Sequence, residues 1–129
     1  MKVTAKNNGR SFQTELSNNT NSFTADLPKA DGGDSMGFNP KELLCASLAT
    51  CTAMFLKDFA SKHTIHTDGI EVEVSLETNE DESETKLTRV IDLKGNLSDA
   101  EKQKMVNAAK HCHLHNILSG TISITSVLK

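Results

Sequence analysis

Hydrophobic and polar residues alternate in short stretches over the first 27 residues of this chain. Alternation with a period of two is typical of a strand with one buried face, and it predicts three strands, at residues 2–6, 11–16 and 22–27. Asn8-Gly9 predicts a type I′ hairpin turn between the first two strands, because both residues tolerate a positive φ. Asn18-Asn19 predicts the second turn, and the glycine-containing stretch 28–38 predicts a loop.

The next segment carries strong signals for a helix. Asn39 is a preferred N-cap residue, Pro40 suits the first helical position, and Glu42 stands where a capping box requires an acid. From position 43 to position 56 the only polar residues are Ser47, Thr50 and Thr52. A helix that is apolar on nearly all sides is expected to lie buried in a core or against a partner.

Beyond this helix, residues 70–77 alternate strictly between apolar and polar side chains. The pattern predicts an antiparallel strand with one face in water. The acidic segment 79–84 then predicts a hairpin tip, and residues 85–93 predict the paired strand.

Two helices and a strand are predicted for the last third of the chain. Ser98 and Glu101 form a second capping-box pattern, which predicts a helix to about His111. A short helix over 112–118 and a last strand over 121–128 follow. The predicted order is therefore βββ-α-ββ-αα-β, an α+β fold in which an antiparallel sheet covers one long buried helix.

Length, composition and charge narrow the class of protein. A chain of 129 residues is expected to form one domain over 1–129, and with no Trp or Tyr a homodimer would enlarge its small core. A net charge of -3 with dispersed Lys and Arg argues against nucleic-acid binding. Neither a signal peptide nor a membrane span is expected, so the chain is predicted to be cytoplasmic. There, any disulfide among three cysteines is expected to be catalytic or regulatory.

Cys51 and Cys112 lie 61 positions apart in separate predicted helices. If the fold brings them together, one thiol can attack an oxidant and the other can resolve the product. The simpler interpretation of Cys51 alone is core packing, because free cysteine is among the most buried residue types. Cys51 lies in mid-helix, so a reactive thiol there requires a cation from another element.

The chain has only two arginines that could supply this cation. Arg10 follows the predicted Asn8-Gly9 turn, where a bend can aim a side chain at a site, whereas Arg89 lies in a regular strand. Arg10 is therefore the better candidate, with a solvated turn residue as the simpler interpretation. Glu42 is about 13.5 Å along an ideal helix from Cys51, so it either only caps the helix, orients Arg10, or serves a neighbouring subunit's pocket.

The remaining candidate residues surround the two thiols in sequence. His111, His113 and His115 flank Cys112, but their spacing suits zinc poorly, and a polar surface turn is the better interpretation. The histidines and the N-terminus of the short helix could still favour a Cys112 thiolate. Cys45 lies about 120° around the helix from Cys51 and is expected in the core.

Taken together, these motifs resemble the OsmC/Ohr family, the osmotically induced and organic hydroperoxide resistance group of bacterial thiol peroxidases. The resemblance extends over nearly all of the chain. It comprises the N-terminal strands, the Gly-rich loop, Asn39-Pro40 followed by Glu42-Leu43-Leu44, the segment 48–54 around Cys51, a β-hairpin, and Cys112 with His115 and Leu118.

The resemblance implies a cysteine-based peroxidase that forms an intertwined homodimer and needs no cofactor. It implies that Cys51 is the peroxidatic thiol, Cys112 the resolving thiol and Arg10 the cation near the sulfur, with Glu42 as the candidate acid. In the implied cycle Cys51 attacks an organic hydroperoxide, or hydrogen peroxide, and becomes sulfenic acid. Cys112 then forms a disulfide with it, and a dithiol reductant of the lipoyl type restores both thiols.

Two differences from the family motivate a second hypothesis. Lys41 stands where the Ohr branch has its glutamate, and His113 stands where a proline is common. The second hypothesis is a non-catalytic member of the fold that binds a small thiol or lipid-like ligand in the interface pocket beside Cys51. A third hypothesis is metal sequestration by Cys112 and its histidines.

Overall fold

In the computed structural model, which describes residues 1–9 and 11–129, the chain forms two compact units, residues 1–44 and 45–129. Its elements follow the order βββ-α-ββ-αα, and both sheets are antiparallel. The predicted α+β class is therefore confirmed. The single domain over 1–129 stays a prediction.

The first unit contains a three-stranded antiparallel sheet with its second strand in the middle. The strands are β1 (Thr4–Asn7), β2 (Thr14–Ser17) and β3 (Ser22–Ala25). The predicted turn at Asn18-Asn19 is confirmed, because Asn19 has a φ of 48° and the Asn18 N–H donates to the Asn21 carbonyl. All three strands are shorter than predicted.

The predicted type I′ turn at Asn8-Gly9 is wrong. The pairing of β1 with β2 ends at Asn7, so the connection covers residues 8–13, and within the dipeptide only Gly9 has a positive φ. The Asn7 side chain organises this longer connection. Its Oδ1 accepts from the Gly9 N–H, and its amide donates to the carbonyls of Ser11 and Gln13.

The predicted loop 28–38 contains one short 3-10 turn, Lys29–Asp31, and is held by a buried carboxylate. Asp26 is 3% exposed, and its two oxygens accept hydrogen bonds from three backbone N–H groups, those of Leu27, Asp34 and Met36. The loop therefore has a fixed path although it lacks a regular period.

The long helix, α1 (Pro40–Lys62), begins as predicted. The Asn39 N–H donates to Glu42 Oε2 at 2.8 Å, and the Glu42 N–H donates to Asn39 Oδ1 at 2.9 Å, which completes the capping box. The single chain alone does not bury the helix on nearly all sides, so its burial against a partner stays a prediction. Its buried residues form one stripe with a spacing of four: Leu48, Thr52, Leu56 and Ala60.

Among the described residues, α1 is the one helix long and apolar enough to cross a membrane by length and composition alone. Only 22% of its most apolar window is buried. The expectation that no segment comes near a membrane span was therefore too strong. The core helix of a soluble protein meets the same criterion, so the finding is weak support for a membrane role.

The second unit contains α1 from residue 45 onward, a hairpin and two further helices. Strands β4 (Gly69–Thr78) and β5 (Thr85–Lys94) pair antiparallel, and their alternation of half-buried and exposed residues confirms the predicted hairpin. The hairpin's apolar face packs on a core that includes Leu56 and Met105, both fully buried. Helix α2 (Asp99–Ala108) starts with the predicted Ser98–Glu101 capping box.

A 3-10 turn, Ala109–His111, connects α2 to the last helix, α3 (His113–Ser119). The predicted strand over 121–128 is wrong for the single chain, because these residues form neither helix nor strand. A strand needs the edge of another strand for its hydrogen bonds, and no described strand pairs with this segment. Its apolar residues are exposed: Ile122, Ile124, Val127 and Leu128.

Candidate active site

Cys51 and Cys112 come together within the second unit. Cys51 lies half-buried on α1, whereas Cys112 is fully buried as the N-cap of α3. The Leu114 N–H, two residues beyond Cys112, donates to Cys51 Sγ, and Thr52, the residue after Cys51, contacts Cys112 Sγ. All three cysteines of the chain are free thiols. The arrangement therefore juxtaposes two reduced sulfurs from distant parts of the sequence.

The first turn of α3 points backbone N–H groups at both sulfurs. The Leu114 N–H donates to Cys51 Sγ at 3.5 Å, and the His115 N–H donates to Cys112 Sγ at 3.4 Å. The Cys112 side chain thus takes the place of the oxygen in an ordinary N-cap. Because N–H donors favour the negative form of an acceptor, this turn favours a thiolate at Cys112.

A third contact to Cys112 comes from the residue next to Cys51. Thr52 is fully buried, and its Oγ1 lies 3.6 Å from Cys112 Sγ. The same hydroxyl donates to the Leu48 carbonyl at 2.8 Å, one turn earlier in α1. The buried stripe of α1 therefore supplies a polar group to the thiol pair as well as apolar packing.

The positive charge at this site belongs to Arg89 on β5. Its Nη1 donates to Thr52 Oγ1 and to the Ala109 carbonyl, each at 3.0 Å, and lies 3.5 Å from Cys112 Sγ. Its Nη2 lies 3.1 Å from His115 Nδ1. A guanidinium can only donate, so Nδ1 is the acceptor in this contact.

Sequence reasoning ranked Arg89 below Arg10, although a signal was present. On β5 the half-buried positions are Leu87, Arg89, Ile91 and Leu93, so Arg89 occupies an apolar position of an alternating strand. A charge at such a position needs a partner, because an unpaired buried charge is costly. Arg89 is directly opposite Val74 in the hairpin, so its partners had to come from other elements.

The surroundings of Cys112 change the pKa of its thiol. Burial raises the pKa of the Cys112 thiol, but four groups lower it: the His115 N–H, the Thr52 hydroxyl, the Cys51 thiol and the positive charge of Arg89. The lowering outweighs the burial, so the pKa of Cys112 lies below its ordinary value of 9.0. Cys112 is therefore the thiol that its surroundings favour as an anion.

Two further predicted site residues are Arg10 and Glu42. Arg10 lies outside the described residues. The Glu42 carboxylate accepts the Asn39 N–H in the capping box of α1, which is the simpler of the roles expected for it. Cys45, expected in the core, is half-buried on α1.

The three histidines around Cys112 have different positions. His111 and His113 are exposed, as a polar surface turn predicts, whereas His115 is half-buried against Arg89. Across residues 1–9 and 11–129 there is no group of three or more His, Cys, Asp or Glu side chains that could hold a metal ion. Metal sequestration therefore has no preformed site in the part of the chain that the structure describes.

Arg89 and His115 also line a cleft of about 540 Å³ in the second unit. Its other walls are apolar or carry hydroxyl groups, and they are formed by Leu48, Thr85, Leu87, Thr88, Leu118 and Ser119. The cleft therefore lies next to Arg89 and His115, which contact each other beside Cys112.

Comparison with known families and structures gives a consistent result. The profile of the family described as OsmC-like protein matches residues 32–127. Comparison with curated proteins finds no match.

Among solved structures, the organic hydroperoxide resistance protein OhrB of Bacillus subtilis is 31% identical over 92% of this chain and 90% of its own, with a TM-score of 0.65. An OsmC-like protein of Mycoplasma pneumoniae is 21% identical over 92% and 86%, with a TM-score of 0.80. The organic hydroperoxide resistance protein OsmC of Legionella pneumophila is 24% identical over 92% and 88%, with a TM-score of 0.66.

Proposed function

Because the chain belongs to the OsmC-like protein family, we propose that it is a thiol peroxidase that reduces organic hydroperoxides through a Cys51–Cys112 disulfide cycle. The observation that carries the proposal is the convergence of two free thiols on the first turn of α3, where the Leu114 N–H donates to Cys51 Sγ and the His115 N–H donates to Cys112 Sγ. The description of the Bacillus subtilis relative as an organic hydroperoxide resistance protein supports a redox role toward peroxides.

The cycle uses each sulfur once. The Cys51 thiolate attacks one oxygen of the hydroperoxide, the O–O bond breaks, and the alkoxide takes up a proton and leaves as an alcohol. Cys51 is then a sulfenic acid, and Cys112 attacks its sulfur, forms the disulfide and expels the oxygen as water or hydroxide. A dithiol reductant, of the lipoyl type by family resemblance, exchanges with the disulfide and restores both thiols.

Roles for Arg10 and Glu42 are proposed on the resemblance alone. Arg10 supplies positive charge toward Cys51, and Glu42 orients that charge. In the capping box the Asn39 N–H donates to Glu42 Oε2. One carboxylate can therefore both cap the helix and pair with a guanidinium.

We further propose that the protein works as a soluble cytoplasmic homodimer. In the single chain only 22% of the most apolar window of α1 is buried, Met54 of this helix is exposed, and so are the apolar residues of segment 121–129. Exposed apolar surface of this kind marks a protein interface. A second copy of the chain would cover it and enlarge a core that is small for 129 residues.

The test is a count of free thiols by alkylation and intact mass, before and after one equivalent of cumene hydroperoxide. We expect the loss of two alkylatable thiols, mapped to Cys51 and Cys112, and we expect Cys51→Ser to abolish turnover with a dithiol. Cys45→Ala is the matched control and is expected to retain turnover. If three thiols persist in the native chain, the peroxidase is excluded, and the non-catalytic ligand-binding hypothesis takes its place.

A further inference from the structure

The Arg89 guanidinium is placed to act on Cys112. Its Nη1 is 3.5 Å from Cys112 Sγ, whereas the backbone donor to Cys51 Sγ is the Leu114 N–H. The family resemblance assigns a cation to the other thiol, through Arg10. Arg89 is therefore a separate positive charge, directed at the second sulfur.

The position of this charge is fixed by groups from three parts of the fold. The guanidinium bonds Thr52 on α1, the carbonyl of Ala109 in the 3-10 turn, and His115 on α3. Because hydrogen bonds hold both Nη1 and Nη2, the Arg89 side chain has lost its rotamer freedom before any reaction occurs. Its field at Cys112 is therefore preorganised.

Arg89 has no carboxylate partner among the residues that the structure describes. Its contacts are a hydroxyl, a carbonyl, an imidazole nitrogen and the Cys112 sulfur. A half-buried guanidinium is stabilised by an adjacent anion, and an uncompensated one is costly. The Cys112 sulfur is the only one of these four groups that can become an anion near neutral pH.

The other groups that face Cys112 are consistent with a negative charge on its sulfur. From α1 come the Cys51 thiol and the Thr52 hydroxyl, and from α3 comes the His115 N–H. None of these groups is negative while Cys51 keeps its proton, and the Cys51 thiol and the His115 N–H can donate a hydrogen bond to a thiolate. The Thr52 hydroxyl donates its one proton to the Leu48 carbonyl. Burial opposes the charge but is outweighed.

We propose that Arg89 holds Cys112 as a thiolate in the reduced protein and thereby accelerates formation of the disulfide. The inference rests on the proposed function, in which Cys112 is the resolving thiol. The Cys112 thiolate attacks the Cys51 sulfenic sulfur, the S–S bond forms, the S–O bond breaks, and hydroxide leaves. Arg89 is thus a catalytic residue of the second step, distinct from the step that consumes the hydroperoxide.

The first experiment measures the charge on Cys112 without any peroxide. In a chain carrying Cys45→Ala and Cys51→Ser, Cys112 is the only thiol, and the serine hydroxyl keeps a hydrogen-bond donor beside it. Thiolate absorbance near 240 nm is then followed against pH, with and without Arg89→Gln. We expect Arg89→Gln to move the midpoint upward by about one pH unit or more, which is about a tenfold loss of thiolate below the midpoint.

Two variants keep this titration decisive. Lys86→Gln removes an exposed cation from the same strand and is expected to leave the midpoint unchanged. Arg89→Lys keeps the charge but loses the planar fork, so its midpoint is expected between the other two. Arg89→Lys also provides the comparison with the native residue if Arg89→Gln fails to fold. An identical midpoint with Arg89, lysine and glutamine at this position would overturn the proposal.

The second experiment separates this inference from the proposed function. The chain with all three cysteines is mixed with cumene hydroperoxide and a sulfenic-acid trap, and the products are followed by mass. We expect Arg89→Gln to accumulate trapped Cys51 and to form the disulfide about tenfold more slowly, with Cys51 oxidation unchanged. Unoxidised Cys51 in the native chain refutes the peroxidase, whereas normal oxidation and an unaltered disulfide rate refute the role of Arg89.

Discussion

Thr52 Oγ1 lies 3.6 Å from Cys112 Sγ, although the two residues are 60 positions apart in sequence. Thr52 directly follows Cys51 in α1. Its hydroxyl contacts both the Cys112 sulfur and the Arg89 guanidinium beside that sulfur. The hydroxyl donates to the Leu48 carbonyl and accepts from Arg89. One side chain therefore ties α1, β5 and the N-cap of α3 into one hydrogen-bonded cluster.

Thr52→Val is expected to lower the free energy of unfolding of the reduced protein by about 1–3 kcal/mol. The two side chains have the same shape, but valine offers no oxygen to the Arg89 N–H group, and an unsatisfied buried donor carries that cost. Urea unfolding measures the change. Thr50→Val, at an exposed position of the same helix, is the control and is expected to stay within about 0.5 kcal/mol. Equal effects at the two positions would contradict the cluster.

The lowered pKa of Cys112 predicts a pH dependence of stability. The folded state binds fewer protons than the unfolded state between the folded pKa and the ordinary value of 9.0. The stabilisation is therefore fully present above about pH 9 and is lost as pH falls through the folded pKa. The difference in unfolding free energy between the reduced native chain and Cys112→Ser is expected to grow with pH over this window. Urea unfolding at a series of pH values tests it, and a difference independent of pH would refute it.

Local signals allowed the helices and the hairpin to be predicted, because they depend on residues a few positions apart. The capping boxes of α1 and α2 each involve two residues three positions apart, and both are present. Strands β4 and β5 have bounds within a residue or two of those predicted. The prediction of a last strand over 121–128 was wrong for the single chain. A strand needs the edge of another strand for its hydrogen bonds, and the alternation of residues does not show whether such an edge is available.

The candidate site was predictable only in part. The thiol pair followed from the family resemblance, but the surroundings of Arg89 did not. Its partners Thr52 and His115 are 37 and 26 positions away, and alternation in a strand indicates a face without saying what meets it. The Asn8-Gly9 turn failed for a different reason, since the Asn7 side chain offers the backbone other hydrogen bonds.

Asp26→Asn is expected to destabilise the protein by about 1–3 kcal/mol. Two N–H groups donate to one carboxylate oxygen and a third donates to the other, so an amide cannot accept all three in either orientation. Thermal and urea unfolding measure the loss. Asp31→Asn, on the exposed 3-10 turn of the same loop, is the matched control and is expected to be nearly neutral. A neutral Asp26→Asn would show that the buried carboxylate does not hold the loop.

The proposed homodimer predicts that the uncovered apolar residues of the single chain mediate association. Met54 is 69% exposed on α1, and Ile124 is 88% exposed in the C-terminal segment. Met54→Lys places a charge in the proposed interface and is expected to weaken dimerisation by at least about tenfold, because a buried unpaired charge is costly. Sedimentation velocity over a range of concentrations measures the change. Val106→Lys adds the same charge at an exposed apolar position of α2 and is expected to leave the dimer intact. A native chain that sediments as a monomer at micromolar concentration would exclude the dimer.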